Sequence, residues 1–175
     1  MILGPFARRR QAKRDEAELG TDLWRRSHDR FARSLDRYWQ VIHEPSAELP
    51  VEEHNGLVNA GNVLAELLPR VRQLCVEARE HFPEQGLQVP GGAAEVHRIL
   101  SRAANDLATT AQAAAFYQLG QGSLDSVGRR AEKVVEAVAE AERAAVWRWA
   151  DGPASRRDRT PPDDDRWRSP SDGVR

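Results

Sequence analysis

Histidine and cysteine are the side chains that most readily bind a metal or attack a substrate. This 175-residue chain has five histidines and one cysteine. In helical di-iron proteins a glutamate stands three residues before each liganding histidine, so that both face one site. Here the residues three positions before His28, His43, His54, His81 and His97 are Arg25, Gln40, Val51, Ala78 and Ala94. The chain also lacks a His-Glu-x-x-His motif and a second cysteine for a zinc pair. The sequence therefore predicts no metal site, no cofactor and no catalytic residue.

Cys75 and His28 each occupy an apolar position of a predicted helix. An unpaired cysteine in such a position usually behaves as a small hydrophobic residue, which favours a structural role for Cys75. A histidine there can titrate near neutrality and make packing sensitive to pH. The alternative, which we favour, places the ring of His28 in water at a fraying end of the protein.

Arginines form the clearest polar pattern of the chain. Arg26, Arg30, Arg33 and Arg37 recur every four, three and four residues, and they are preceded by Arg8, Arg9, Arg10, Lys13 and Arg14. On a helix this spacing makes one ridge, which can dock phosphates or an acidic partner. An aspartate stands four residues before two of these arginines, which predicts the ion pairs Asp22–Arg26 and Asp29–Arg33. Together with a formal net charge of −1, these pairs favour a salt-bridged surface over a nucleic-acid site.

Two aromatic residues, Phe116 and Trp147, fall on the polar sides of their predicted helices. With Tyr117 and Trp149 beside them they would form a cluster near one end of the molecule, and aromatic side chains often anchor interfaces. The candidate interaction surface is therefore either the arginine ridge, Arg26, Arg30, Arg33 and Arg37, or the aromatic cluster around Phe116 and Trp147.

The glycine-rich segment Gly120-Gln121-Gly122-Ser123 opens a predicted helix, where phosphates can bind. No strand precedes it and no lysine follows it, so the pattern fits neither nucleotide-binding motif that begins this way. We interpret it as a turn in which Ser123 caps the next helix.

Four amphipathic helices must position these side chains, over residues about 21–43, 50–82, 93–119 and 124–150. Thr21 suits the N-cap of the first, and Pro50 suits the first position of the second. Apolar residues recur every three or four positions in each: Trp24, His28, Phe31, Leu35, Tyr38 and Ile42; Leu57, Gly61, Leu64, Leu68, Val71, Cys75, Ala78 and Phe82; Val96, Leu100, Ala103, Leu107, Thr110, Ala114 and Tyr117; Val127, Ala131, Val134, Val138, Ala141, Ala145 and Trp149.

Sustained spacing of this kind is typical of coiled-coil-like packing, so the predicted fold is all-α, a four-helix bundle over residues 19–150. Pro69 projects to the polar side of the second helix, which predicts a kink near Glu66, with a full break at Leu68 as the alternative. Residues 1–18 either extend the first helix or fray. Residues 151–175 are rich in Pro, Arg and Asp and poor in large apolar side chains, which predicts a disordered tail.

Composition indicates where such a chain works. Lys13 and Lys133 are the only lysines, and the excess of arginine and alanine is typical of GC-rich bacterial genes. A single cysteine suits a reducing cytoplasm. No apolar run reaches the roughly 20 residues that span a bilayer. The basic residues follow the apolar stretch that ends at Phe6, whereas in a secretory signal they precede it.

The run from Gly91 to Ala104, Gly-Gly-Ala-Ala-Glu-Val-His-Arg-Ile-Leu-Ser-Arg-Ala-Ala, with the alanine-rich helix after it, resembles segments of uncharacterised all-helical proteins of actinobacteria. The resemblance covers the second to fourth predicted helices. It implies a helical fold, and it brings no activity and no functional residue.

These patterns favour a cytoplasmic, non-enzymatic interaction or scaffold protein whose partner is another protein or a second copy of itself. Alanine-rich contacts bury little area, so self-association would add stability. One alternative is an accessory protein that binds nucleic acid or a membrane surface through Arg8 to Arg37. Another is a helical enzyme or small-ligand binder, which would need a polar-lined internal pocket.

Overall fold

A computed structural model gives the fold and describes residues 13–21, 23–44, 48–82 and 91–150, the last four without their side chains. All regular secondary structure in these residues is helical, which confirms the all-α prediction. The predicted disordered tail, residues 151–175, and most of the predicted N-terminal extension lie outside the described residues. Among the described helices none combines the length and the apolar content needed to cross a bilayer.

The described part of the chain contains five helices: α1 (13–19), α2 (Leu23–His43), α3 (Val51–His81), α4 (Ala94–Gln118) and α5 (Leu124–Ala150). The bounds of α2 to α5 differ from the predicted ones by at most two residues. Pro50 precedes the first turn of α3, which contains Glu52 and Glu53. Both carboxylates suit the positive end of the helix dipole.

The short helix α1 is separate from α2. Gly20 adopts a φ of 71° and its N–H donates to the carbonyl of Glu16, the usual way in which glycine ends a helix. The predicted N-cap Thr21 therefore lies in the link between α1 and α2, since α2 begins at Leu23.

The four long helices pack in a closed order: α2 contacts α3 and α4, and α5 contacts the same two helices. Helices α2 and α4 are parallel, because Trp24 meets His97 near one end and Val41 meets Gln118 near the other. Helices α4 and α5 are antiparallel, joined by a five-residue turn. The turn is possible because Gly120 and Gly122 adopt positive φ, and the Ser123 side chain accepts the N–H of Ser126 as predicted for a cap.

Nearly all of the predicted apolar positions with described side chains are buried, and the core runs the length of the helices. The departures are Leu68 within α3 and, at helix ends, Phe82 and Tyr117, all of them partly buried. On α3, Leu67 and Leu74 are buried and Leu68 is only half-buried. A helix that packs against both α2 and α5 needs a wider apolar stripe than two positions per heptad.

Helix α3 continues through Pro69, so the alternative of a full break at Leu68 is wrong. Close contact between α2 and α3 depends on Gly61. A methyl group at that position would lie 2.8 Å from the Trp39 ring and 3.0 Å from the Tyr38 ring.

Candidate functional site

The buried polar side chains of the described residues are mostly bonded to main chain, and they form no reactive group. The Tyr38 hydroxyl donates to the Leu57 carbonyl at 2.8 Å, and burial raises the pKa of Tyr38. Thr110 donates to the Asp106 carbonyl, and Gln118 donates to the Val41 carbonyl. Such bonds satisfy polar groups inside a core.

Cys75 is fully buried, and burial raises the pKa of its thiol to about 12. A nucleophilic cysteine needs a lowered pKa and access to a substrate, so the side chain acts as a small hydrophobic residue, as predicted. His28 also lies in the core, with 8% of its surface exposed and Nδ1 3.1 Å from the Asp29 carboxylate. The favoured prediction that its ring is in water is therefore wrong. Nowhere among the described residues do three or more His, Cys, Asp or Glu side chains converge as metal ligands would.

A network of ion pairs fixes α1 against α2 and α3. Arg72 of α3 donates to both Asp15 and Glu18, and Arg25 of α2 also faces Asp15 at 3.9 Å. Arg79 donates to the Ala17 and Glu18 carbonyls at the end of α1. Asp15 is nearly buried, so this network is structural rather than a surface for a ligand.

The four arginines of the predicted ridge are exposed along the outer side of α2. Arg30 leans towards α4, where it donates to the Asn105 amide oxygen at 3.0 Å. Arg37 donates to Gln40 on its own helix. Neither Arg26 nor Arg33 pairs with a carboxylate of the described residues. The ridge therefore carries positive charge that the described part of the chain leaves unneutralised.

The carboxylates expected to neutralise this ridge lie elsewhere. Asp29 accepts two hydrogen bonds from Arg25, at 2.9 and 2.8 Å, and so the predicted Asp29–Arg33 pair is wrong. Asp36 lies seven residues further along the same line of α2, on the flank that faces α3. The other predicted pair cannot be placed, because Asp22 lies outside the described residues.

Helix α4 extends this positive surface. Arg98 is exposed on the same line of α4 as Asn105, to which Arg30 of α2 donates. The neighbouring His97 has a pKa lowered first by burial and then by the charge of Arg30. Glu95 and Asp106 share a line with Arg102, which reaches Glu140 of α5, so both acids lie on the opposite flank of α4. We call the surface formed by Arg26, Arg30, Arg33, Arg37 and Arg98 the basic face.

Phe116 lies at the end of α4 with 54% of its surface exposed, beside a surface cavity of about 310 Å³. The cavity lies over the turn between α4 and α5. Its lining is Thr109, Gln112, Ala113, Phe116, Gln121, Gly122, Ser123, Ser126 and Arg130. These residues offer hydroxyl and amide groups, one positive charge and one aromatic ring, and they include no carboxylate.

The predicted aromatic cluster is not formed. Helices α4 and α5 run antiparallel with Arg102 beside Glu140, so the position of Trp147 lies about 30 Å along the helix axis from that of Phe116. The side chain of Trp147 lies outside the described residues. Tyr117, the immediate neighbour of Phe116, turns towards α3 and donates to the Glu53 carboxylate.

A second surface cleft lies between α3 and α5, with a volume of about 410 Å³. Pro69, Leu74, Ala145 and Val146 make it mainly apolar. A bidentate bond from Arg70 to Glu142 crosses it and lowers the pKa of that carboxyl.

Sequence reasoning identified the arginines of α2 and Phe116, but it missed Arg98, Gln112 and Arg130. These three come from α4 and α5, and no spacing along the chain links them to α2. Comparison with known protein families, with curated proteins and with solved structures finds no match.

Proposed function

We propose that this protein is a non-catalytic interaction module that binds an anionic partner through the basic face. The observation that carries the proposal is the segregation of charge on α2. Its exposed arginines lie along the outer side of the helix, from which Arg30 reaches Asn105 of α4. Its aspartates lie on the α3 side, where Arg25 and His28 engage Asp29.

The chemistry of the face favours a partner with several negative charges. A guanidinium is planar and always charged, and it holds a phosphate or a carboxylate through two parallel hydrogen bonds. Arg26 and Arg33 have no ion-pair partner among the described residues. Burial is the larger cause of the lowered pKa of His97, and the charge of Arg30 adds to it.

A packing arrangement goes with this proposal. We infer that α2 to α5 form a four-helix bundle with coiled-coil-like packing, that α3 bends near Glu66, and that the module works in the cytoplasm. A bundle would hold α2 and α4 parallel and rigid, and so would keep the five arginines in a fixed array. Self-association stays a prediction that sedimentation of the purified chain would test, with a monomer at high concentration counting against it.

Removal of charge from the basic face tests the proposed function. We expect the triple substitution Arg26→Gln, Arg33→Gln and Arg37→Gln to weaken binding of the full chain to labelled polyanions by at least about tenfold at low salt. The probes are a single-stranded oligonucleotide and polyglutamate, and fluorescence anisotropy reports the binding.

The matched control removes the same charge from α5 through Arg129→Gln, Lys133→Gln and Arg143→Gln, all of them exposed. It should keep nearly the wild-type affinity. Equal losses in the two variants would mean that net charge alone attracts the probes. No binding of either probe at low salt would end the proposal.

A further inference from the structure

The basic face and the cavity beside Phe116 lie on one continuous surface. Asn105, which accepts from Arg30, is followed along the exposed line of α4 by Gln112 and Phe116, seven and eleven residues later. At 1.5 Å per residue, Phe116 lies about 16 Å beyond Asn105. A ligand that follows the arginines of α2 towards the end of α4 therefore reaches the cavity.

The cavity has the groups that recognise a nucleobase. The exposed ring of Phe116 offers a stacking surface, and the amides of Gln112 and Gln121 form no hydrogen bond with another described residue. Ser123 and Ser126 add hydroxyl groups to the lining, and Arg130 supplies a further positive charge. Aromatic rings stack on bases, while amides and hydroxyls bond to base edges.

An acidic protein fits the same face less well. Interfaces between proteins have a buried core in which aromatic and apolar side chains are enriched. On the outer sides of α2 and α4, the exposed residues of this surface are instead arginines and polar residues such as Asn105 and Thr109. Its exposed large apolar residues, Phe116 and Leu119, lie only at the end of α4. Proteins that bind single strands combine a positively charged surface along the backbone with aromatic rings on which bases stack.

We propose that the anionic partner is a single-stranded nucleic acid, whose phosphates lie along the basic face and one base of which stacks on Phe116 in the cavity. This inference rests on the proposed function and names its ligand. A duplex could place its phosphates along the basic face, but its bases are stacked and paired and cannot enter the cavity without being extruded.

The test compares Phe116→Ala with Leu119→Ala in the full chain. Both side chains are more than half exposed, but only Phe116 lines the cavity. The probe is a fluorescein-labelled oligonucleotide of about 12 nucleotides, with RNA and DNA versions, a duplex and an abasic strand of the same length. We expect Phe116→Ala to weaken binding of the single strand by about tenfold and Leu119→Ala to leave it nearly unchanged.

The abasic strand separates stacking from charge. The wild-type protein should bind the abasic strand about as weakly as the Phe116→Ala variant binds the intact strand. The Phe116→Ala substitution should not reduce the affinity for the abasic strand any further. The triple arginine variant should reduce the dependence of log Kd on log salt by about two, since each phosphate contact on a single strand contributes about 0.7.

Other results would overturn the inference in distinguishable ways. Equal affinity for duplex and single strand, or equal losses of affinity in Phe116→Ala and Leu119→Ala, would contradict base binding in the cavity. The proposal that the basic face binds an anionic partner would then stand. Binding of polyglutamate without binding of RNA or DNA would make the partner an acidic protein, with the proposed function intact. No binding of any polyanion would end both.

Discussion

His97 lies where the core meets the basic face. Its ring packs edge-on against the buried Trp24, with 6.1 Å between ring centres, and it is close enough to Arg30 to feel the charge of the guanidinium. Burial and this positive charge both lower the pKa of His97, because each disfavours the imidazolium form. The unfolded chain therefore takes up a proton at His97 more readily than the folded chain does.

This difference makes stability depend on pH. The stabilisation from neutral His97 is complete above the unfolded pKa of about 6.5 and is lost as the pH falls from there towards the folded pKa. We expect urea unfolding to show a smaller loss of stability between about pH 7.5 and about pH 5.5 for His97→Gln than for the wild type. His54→Gln on α3 is the control, and a loss as large in His97→Gln as in the control would contradict the assignment.

At the scale of the helix, the α2–α3 contact is decided by the absence of one side chain. Gly61 faces the rings of Tyr38 and Trp39. The Tyr38 ring cannot easily retreat, because its hydroxyl is bonded to Leu57 and the residue is fully buried. Gly128 on α5 is the opposite case, since nothing lies within 4 Å of a methyl group added there.

Substitution of the two glycines by alanine should therefore change the free energy of unfolding in opposite directions. Gly128→Ala should raise the free energy of unfolding by about 0.5–1 kcal/mol, because alanine favours the helix and meets no obstacle. Gly61→Ala should lower it by about 1–3 kcal/mol, since overpacking outweighs the same gain in helix propensity. Chemical denaturation measures both, and stabilisation by Gly61→Ala would show that the helices separate at little cost.

At the scale of the whole molecule, α1 is attached to the other helices largely through charge. Leu19 contributes a fully buried side chain, and Arg72 reaches both Asp15 and Glu18. The side chains of Arg72 and Asp15 are 22% and 11% exposed, so removal of one partner leaves the other poorly solvated. Arg102 and Glu140 form a comparable pair, but their side chains are much more exposed, at 43% and 41%.

Loss of Arg72 should therefore cost much more than loss of Arg102. We expect Arg72→Gln to lower the free energy of unfolding by about 2 kcal/mol, because it leaves the carboxylate of Asp15 without its main partner. Arg102→Gln should cost no more than about 0.5 kcal/mol, as is usual for an exposed pair. Hydrogen exchange at residues 13–19 would show whether α1 detaches first, and equal losses in the two variants would argue against a special role for the α1 network.

The sequence by itself determined the helices and much of the core. Apolar residues at a spacing of three and four predicted α2 to α5, since that period matches the turn of a helix and is read from local order alone. The same pattern predicted that Cys75 is buried and that Phe116 is exposed, both of which the structure confirms. Charge pairing was less predictable: Asp29 lies four residues from both Arg25 and Arg33, and spacing along α2 does not choose between them.

Only the tertiary structure made that choice. The side chain of Asp29 lies on the α3 flank of α2 with Arg25, which also faces Asp15 of α1, and Arg33 remains on the outer side. The same packing brought Asn105 of α4 to Arg30 of α2 and placed Phe116 and Trp147 at opposite ends. A helix period fixes which residues share a face of one helix, but which helix covers that face depends on contacts between residues far apart in the chain.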